Sequence, residues 1–251
     1  MNTVTIAAHF HGPPESGNGG YTCGVAAAAL GADPARVRLF VPPPVDRPLD
    51  VERRGEACVL LDGETAVAEA RPASLDLEPP EPVAYDDAVA ALEQFDVKAY
   101  AAQHAFSTCF TCGPGRAPGE GLRLFPAPVD GRPGLVVSPW VPHESHGGAD
   151  GRVSPEIVWA ALDCPGGLVW ILGDPPTGPA VLGELTASVV RRPSVGEELV
   201  AAGWPLDADG RKRRSGTAVW ASDGELVAKA QATWIVLAAE QHGEFAVRPT
   251  P

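Results

Sequence analysis

The sequence is short of positive charge and has no long apolar run. Lys and Arg number 19 against 32 Asp and Glu, a formal net charge of −13. So acidic a surface repels phosphate backbones and anionic headgroups, which sets nucleic acid and membrane surfaces aside as partners. Any basic cradle for a phosphate-bearing small molecule has to be local. No segment approaches the ~20 apolar residues of a membrane helix. The start, Met1-Asn-Thr-Val-Thr-Ile6, lacks the basic region and apolar length of a secretory leader. Gly-x-Gly-x-x-Gly and Walker loops are missing, as is His-Glu-x-x-His, so nucleotide cofactors and zinc hydrolysis of those types are not indicated, and no cofactor is expected. The five cysteines are odd in number, which with no leader fits a reducing cytoplasm.

What the chain does have is a repeat. Ala57-Cys-Val-Leu-Leu-Asp-Gly-Glu-Thr-Ala-Val-Ala-Glu-Ala70 parallels Ala218-Val-Trp-Ala-Ser-Asp-Gly-Glu-Leu-Val-Ala-Lys-Ala230. Alternating apolar residues broken by Asp-Gly read as two half-buried strands and a tight turn. Upstream, Leu39–Leu49 parallels Val189–Leu199, each a strand, a Pro-containing turn and a strand. Further upstream each half has one apolar helix candidate, Gly19–Leu30 and Ser154–Cys164. Ser154 then Pro155 is a good helix start, and Pro165-Gly-Gly167 is expected to interrupt that helix. Both helices are apolar almost all round and should be buried. Each half is thus an α+β unit, one buried helix followed by an antiparallel meander. The expected organisation is a first unit over 1–71, a Pro-rich connection with a short amphipathic helix over 72–105, a second unit over 106–238 and a tail over 239–251.

A helix wrapped by a curved antiparallel sheet is the hot-dog arrangement, and the resemblance becomes specific at Cys109-Phe-Thr-Cys-Gly-Pro-Gly-Arg-Ala-Pro-Gly-Glu-Gly-Leu-Arg-Leu-Phe125. This segment resembles the entry to hot-dog thioesterases of the phenylacetyl-CoA type, which carry Cys-Phe-x-Cys-Gly, then Gly-Leu, then an apolar strand. The resemblance covers most of 105–238, and the first half through the repeat. It implies two hot-dog folds fused into a pseudo-dimer that acts on an acyl-CoA or other acyl thioester, as a monomer or as a homodimer.

Thioester hydrolysis needs a carboxylate to activate water or attack directly, and N–H donors for the oxyanion. In the family resembled, His-Gly-Gly opens the helix and the acid lies nine positions after the His, the two coming from opposite protomers. Here Asp163 lies nine positions after Ser154, while Asn18-Gly19-Gly20 stands in the place of His-Gly-Gly with Ala27 nine positions on. One half keeps the glycines and the other keeps the acid. A single composite site is implied: Asp163 as base or nucleophile, Gly19 or Gly20 as oxyanion donor, Asn18 orienting the carbonyl or water. Ser154 and Cys164 would border it. The pairing of Ala27 with Ser154-Pro155 would be dead, since Pro155 has no N–H. Against this, Asp163 could merely cap the following turn, and Asn18-Gly-Gly could be a plain turn. With His-Gly-Gly lost in both halves, a non-catalytic acyl-ligand binding protein is the alternative.

Arg211-Lys-Arg-Arg214 is the only dense basic run. It reads as a solvated hairpin or as local capture of coenzyme A phosphates by Arg211, Arg213 and Arg214. Cys109 and Cys112 raise the question of zinc, but a closed site needs four ligands. The nearest candidate is His104 and no second Cys-x-x-Cys occurs, so an ordering knuckle with free thiols and no metal is the expectation. Cys164 reads as a small core residue beside the pocket. His143 and His146 read as exposed loop, and His9 and His11 as neighbours of the site's mouth.

Overall fold

A computed structural model describes residues 2–173 and 178–238; the proposed tail over 239–251 lies outside them. The first half supplies β1 (Asn2–Thr5), α1 (Gly19–Leu30), β2 (Ala35–Leu39), β3 (Pro48–Arg54), β4 (Ala57–Asp62) and β5 (Thr65–Pro72). Two short helices follow, α2 (Tyr85–Gln94) and α3 (Val97–Gln103). The second half supplies β6 (Ala127–Pro128), β7 (Val136–Trp140), α4 (Pro155–Ala161), α5 (Cys164–Gly173), β8 (Ala180–Val189), β9 (Leu199–Asp209), β10 (Lys212–Ala221) and β11 (Leu226–Val236).

Asp62-Gly-Glu64 turns β4 into β5, and Asp223-Gly-Glu225 turns β10 into β11. The two meanders join edge to edge: β2 pairs antiparallel with β8, Val37 opposite Leu185. The result is one sheet of 11 strands in the order β1-β3-β4-β5-β2-β8-β11-β10-β9-β7-β6. Pairing β2 with β8 removes two inner edges that would otherwise expose unpaired N–H and C=O groups.

α1 lies on β2, β4 and β5 of its own half and crosses α4 of the other. The crossing is close because two glycines stand in it. A Cβ on Gly20 would fall 2.5 Å from Asp163 Cβ and 2.6 Å from the Trp159 carbonyl oxygen, and one on Gly24 would fall 2.7 Å from Glu156 Cα. Backbone atoms cannot step aside as a flexible side chain can. Gly24→Ala should therefore force the helices apart and cost about 1–3 kcal/mol, the usual range for an overpacked core. A lowered denaturant midpoint at unchanged slope is the expected reading. One apolar core runs across both halves through this contact, from Leu60 and Val67 through Ala26 and Val158 to Leu185 and Val219.

The second-half helix departs from expectation. Pro165-Gly166-Gly167 does not end it; the break comes earlier, at Leu162-Asp163, and Pro165 sits in the first turn of α5. Proline is tolerated there because first-turn N–H groups have no intrahelical acceptor. The glycines serve packing: a Cβ on Gly166 would meet Ser215 Oγ at 2.7 Å and one on Gly167 the Trp234 ring at 2.8 Å. The span Pro155–Gly173 is, by length and composition, apolar enough to cross a membrane, contrary to the sequence reading, but most of it is buried inside the protein.

The strand expected after Gly121-Leu122 is also absent as a regular element. Arg123 has φ 56, and Leu122 and Leu124 donate their N–H groups to the carbonyls of Phe110 and Thr111. Pro126 and Pro128 lack ladder donors, so only the short β6 forms.

Candidate active site

Asn18 is the N-cap of α1. Its Oδ1 accepts the Tyr21 N–H at 2.8 Å, and its carbonyl accepts both the N–H (2.9 Å) and hydroxyl (2.8 Å) of Thr22. These bonds fix its side chain and leave its Nδ2 pointing across the interface between the halves. There it donates to Asp163 Oδ2 at 3.0 Å. The Gly20 N–H donates to the same oxygen at 2.9 Å. Asp163 thus stands in the break between α4 and α5, 2% exposed, with its carboxyl held at the positive end of the other half's helix.

The fit depends on the α4–α5 break. A continuous helix would set residue 163 in a helical rotamer against its own preceding turn. The turn at Leu162-Asp163 frees it to reach α1 instead, so Asp163's side chain does not cap its own α5. Oδ1 is buried and has no partner among the described residues. Burial raises the Asp163 carboxyl to about 7; the Gly20 N–H pulls the other way, the Cys109 sulfur adds to the rise, and the Asn18 amide lowers it.

The structure thus brings Asp163, Asn18 and Gly20 together from positions 145 and 143 apart in sequence. It also shows how their polar groups are engaged. Asn18 is engaged at both ends of its amide, by the Tyr21 N–H and by Asp163 Oδ2. Gly20's N–H is taken by Asp163. The first N–H of α1, that of Gly19, has no protein acceptor among the described residues, and Gly19 borders a cavity.

That cavity has a volume of about 1560 Å³. The N-terminus of α1, the face of α5, α2 and α3, the start of β8 and the end of β11 enclose it. Asn18, Gly19, Asp163 and Cys164 lie on it at the helix crossing, Phe95, Leu168, Ile171 and Trp234 give it apolar walls, and Arg211 also lines it. Helices α2 and α3 form a wall that no sequence signal had assigned to the site. The amphipathic pattern of Asp86–Phe95 announced a helix, but not what it would cover.

Several expected site residues fall elsewhere. Ser154 stands at the start of α4 without a side-chain cap bond, and neither it nor Ala27 borders the cavity. Arg213 and Arg214 also lie off it. Arg213 stacks over the Trp170 ring at 5.6 Å, and Arg214 pairs with Asp207. Arg211 sits in the turn before β10, whereas Arg213 and Arg214 lie within the strand. His146 is not exposed loop. It is 6% exposed and packs edge-on against Phe110 at 5.8 Å, and burial lowers its imidazole to about 4. His9 and His11 do not line the cavity.

No family model and no curated protein matches the sequence. Solved structures do. The chain is similar to the tesB protein of Mycobacterium avium subs paratuberculosis at 12% identity and TM-score 0.56, over 88% of this chain and 87% of that one. It is similar to a conserved protein of unknown function with hot dog fold from Alicyclobacillus acidocaldarius at 14% identity and TM-score 0.54, over 94% and 92%. A putative thioesterase, a phenylacetic acid degradation-related protein from Ralstonia eutropha JMP134, matches 46% of this chain and 86% of its own at 22% identity and TM-score 0.41. The first two likenesses extend over nearly the whole length. The chain has the hot-dog fold, present twice and joined through β2 and β8.

Proposed function

We propose that the protein hydrolyses acyl thioesters, with coenzyme A esters as the preferred class, at one composite site between its halves. The observation that carries this reading is the Asp163 carboxyl. It is anchored through one oxygen by α1 of the other half, its second oxygen is unpartnered, and the N–H of Gly19 lies without an acceptor on the same cavity.

In the reaction, ionised Asp163 takes a proton from a water molecule as the water oxygen bonds to the thioester carbon. The carbonyl oxygen becomes an oxyanion, stabilised by the Gly19 N–H and the positive end of α1. The intermediate collapses by breaking the carbon–sulfur bond, and the thiolate leaves with the proton held by Asp163. Products are a carboxylic acid and a free thiol. The cavity exceeds the size of ordinary small-ligand pockets, which suits an acyl chain together with a long thiol carrier. Arg211 is the cavity's candidate contact for the carrier's phosphates.

A panel of short-chain, long-chain and aryl coenzyme A esters, followed by release of free thiol, tests the reading. Turnover of at least one class is the expected result. Saturable calorimetric binding with no thiol release would establish the second reading, a non-catalytic acyl-ligand protein. That reading is favoured by one observation, the engagement of Gly20's N–H by the acid. Neither binding nor turnover across the panel would overturn both.

A further inference from the structure

Cys109, Cys112 and Cys164 are separated in sequence, yet their sulfur atoms lie within 4.8 Å of one another. All three are buried at 4–6% exposure, and none is in a disulfide. We propose that these three thiolates bind a zinc ion beside the cavity, with His104 donating a hydrogen bond to the sulfur of Cys112 and the fourth coordination position turned toward the cavity. The assignment does not depend on the thioester reading.

Geometry carries it. Zinc bound to sulfur at about 2.3 Å in a tetrahedron sets neighbouring sulfurs about 3.8 Å apart. Cys109 Sγ and Cys164 Sγ are 3.8 Å apart, whereas a disulfide would bring them to about 2.05 Å. The Cys109–Cys112 turn is tight and needs Gly113, whose Cβ would fall 2.5 Å from the Cys109 carbonyl oxygen. The turn closes with Gly113 N–H donating to that carbonyl at 2.9 Å. Cys164 arrives from the other side as the first residue of α5, where the helix end favours a negative sulfur.

The groups around the sulfurs are donors. Asn18 Nδ2 donates to Cys109 Sγ at 3.8 Å. His104 Nδ1 accepts the Phe106 N–H at 3.0 Å, which places the imidazole proton on Nε2, 3.3 Å from Cys112 Sγ. Such N–H groups orient metal-bound thiolates and offset their charge. Metal binding displaces thiol protons, and a divalent ion offsets the charge of the buried sulfurs. Cys109, Cys112 and Cys164 all border the cavity, so a fourth ligand, water or a substrate atom, has a way in. Three soft thiolates favour zinc over the hard oxygen-seeking cations.

The test uses the full chain purified without a metal-binding tag. Mass spectrometry for metals should find about one zinc per chain. Cys109→Ser and Cys164→Ser should each lower this at least tenfold, while Cys23→Ser and Cys58→Ser, buried outside the cluster, should not. His104→Gln should keep the stoichiometry at saturating zinc and weaken affinity about 10–100-fold; loss of zinc altogether would make His104 a ligand and overturn the three-thiolate set. Should the serine variants fail to fold, cobalt replaces them as the probe. Wild-type chain stripped of metal and loaded with Co²⁺ should show a thiolate-to-cobalt charge-transfer band and the strong visible bands of tetrahedral cobalt. A chain that carries no metal, takes up none after stripping and shows all five thiols free would overturn the proposal. So would a disulfide among the three.

Discussion

Asp163→Asn should lower kcat for coenzyme A ester hydrolysis by about 10²–10⁴-fold, the range of a positioned general base, with KM changed far less. The substitution keeps the shape of the side chain. The amide oxygen of asparagine still accepts from the Gly20 N–H and from Asn18 Nδ2, the two bonds that fix Asp163 Oδ2. Its amide nitrogen takes the place of Oδ1, which has no partner to lose. Only the capacity to take a proton from water goes. The fold should not suffer, because a buried carboxyl already raised to about 7 by desolvation is replaced by a neutral group. An unchanged or higher melting temperature beside a collapsed kcat separates a chemical role from a structural one. Undiminished thiol release would remove Asp163 from the mechanism. A large rise in KM alone would place it in binding and favour the non-catalytic reading.

Much of the fold was legible because it rests on period and turn chemistry. Alternation in Ala57–Ala70 and Ala218–Ala230, with Asp-Gly-Glu between, dictates two hairpins, and apolar residues all round Gly19–Leu30 dictate a buried helix. What a linear pattern does not hold is where a side chain turns when a helix breaks. Pro165-Gly-Gly167 reads as a terminator by propensity. It acts instead as the first turn of α5, because the glycines admit Ser215 and Trp234 at distances no Cβ allows. That displacement puts the break at Asp163 and sends its carboxyl across to α1.

The relation of Asn18-Gly-Gly to Asp163 was readable only by comparing the halves, since neither half contains both. The role of each donor was not readable at all. Which N–H meets the acid and which is left over depends on how closely α1 and α4 cross, and Gly20 and Gly24 set that. Cys164 was read as bordering the site, and it does line the cavity, but its approach to Cys109 was not readable. In sequence it is a small apolar-run residue far from any partner; in space it faces Cys109. Spacing rules for metal sites see local pairs such as Cys109 and Cys112, and not a third sulfur delivered by another element.

Gly19→Pro should reduce kcat by about 10²–10³-fold relative to Gly19→Ala, the size of effect seen when one oxyanion donor is removed. The comparison holds the added Cβ constant and changes the N–H, which proline replaces with ring carbon. Both replacements add a Cβ, which falls 2.9 Å from the Leu182 side chain, so both carry the same crowding and should lose similar stability, about 1–3 kcal/mol. Proline suits this position otherwise. It is the first residue of α1, where a fixed φ and a missing N–H do not disturb the helix. The residue before a proline must be extended, and Asn18 already is, at φ −58 and ψ 133. Gly20 keeps its bond to Asp163 in both variants. Alanine retains the donor and should stay within about tenfold of wild type, a small loss beside that of a full donor. Proline removes the donor and also fills the space in front of it. Equal rates for the two would show that the oxyanion is held elsewhere, and the division of labour at the end of α1, with Gly20 for the acid and Gly19 for the substrate, would fall with it.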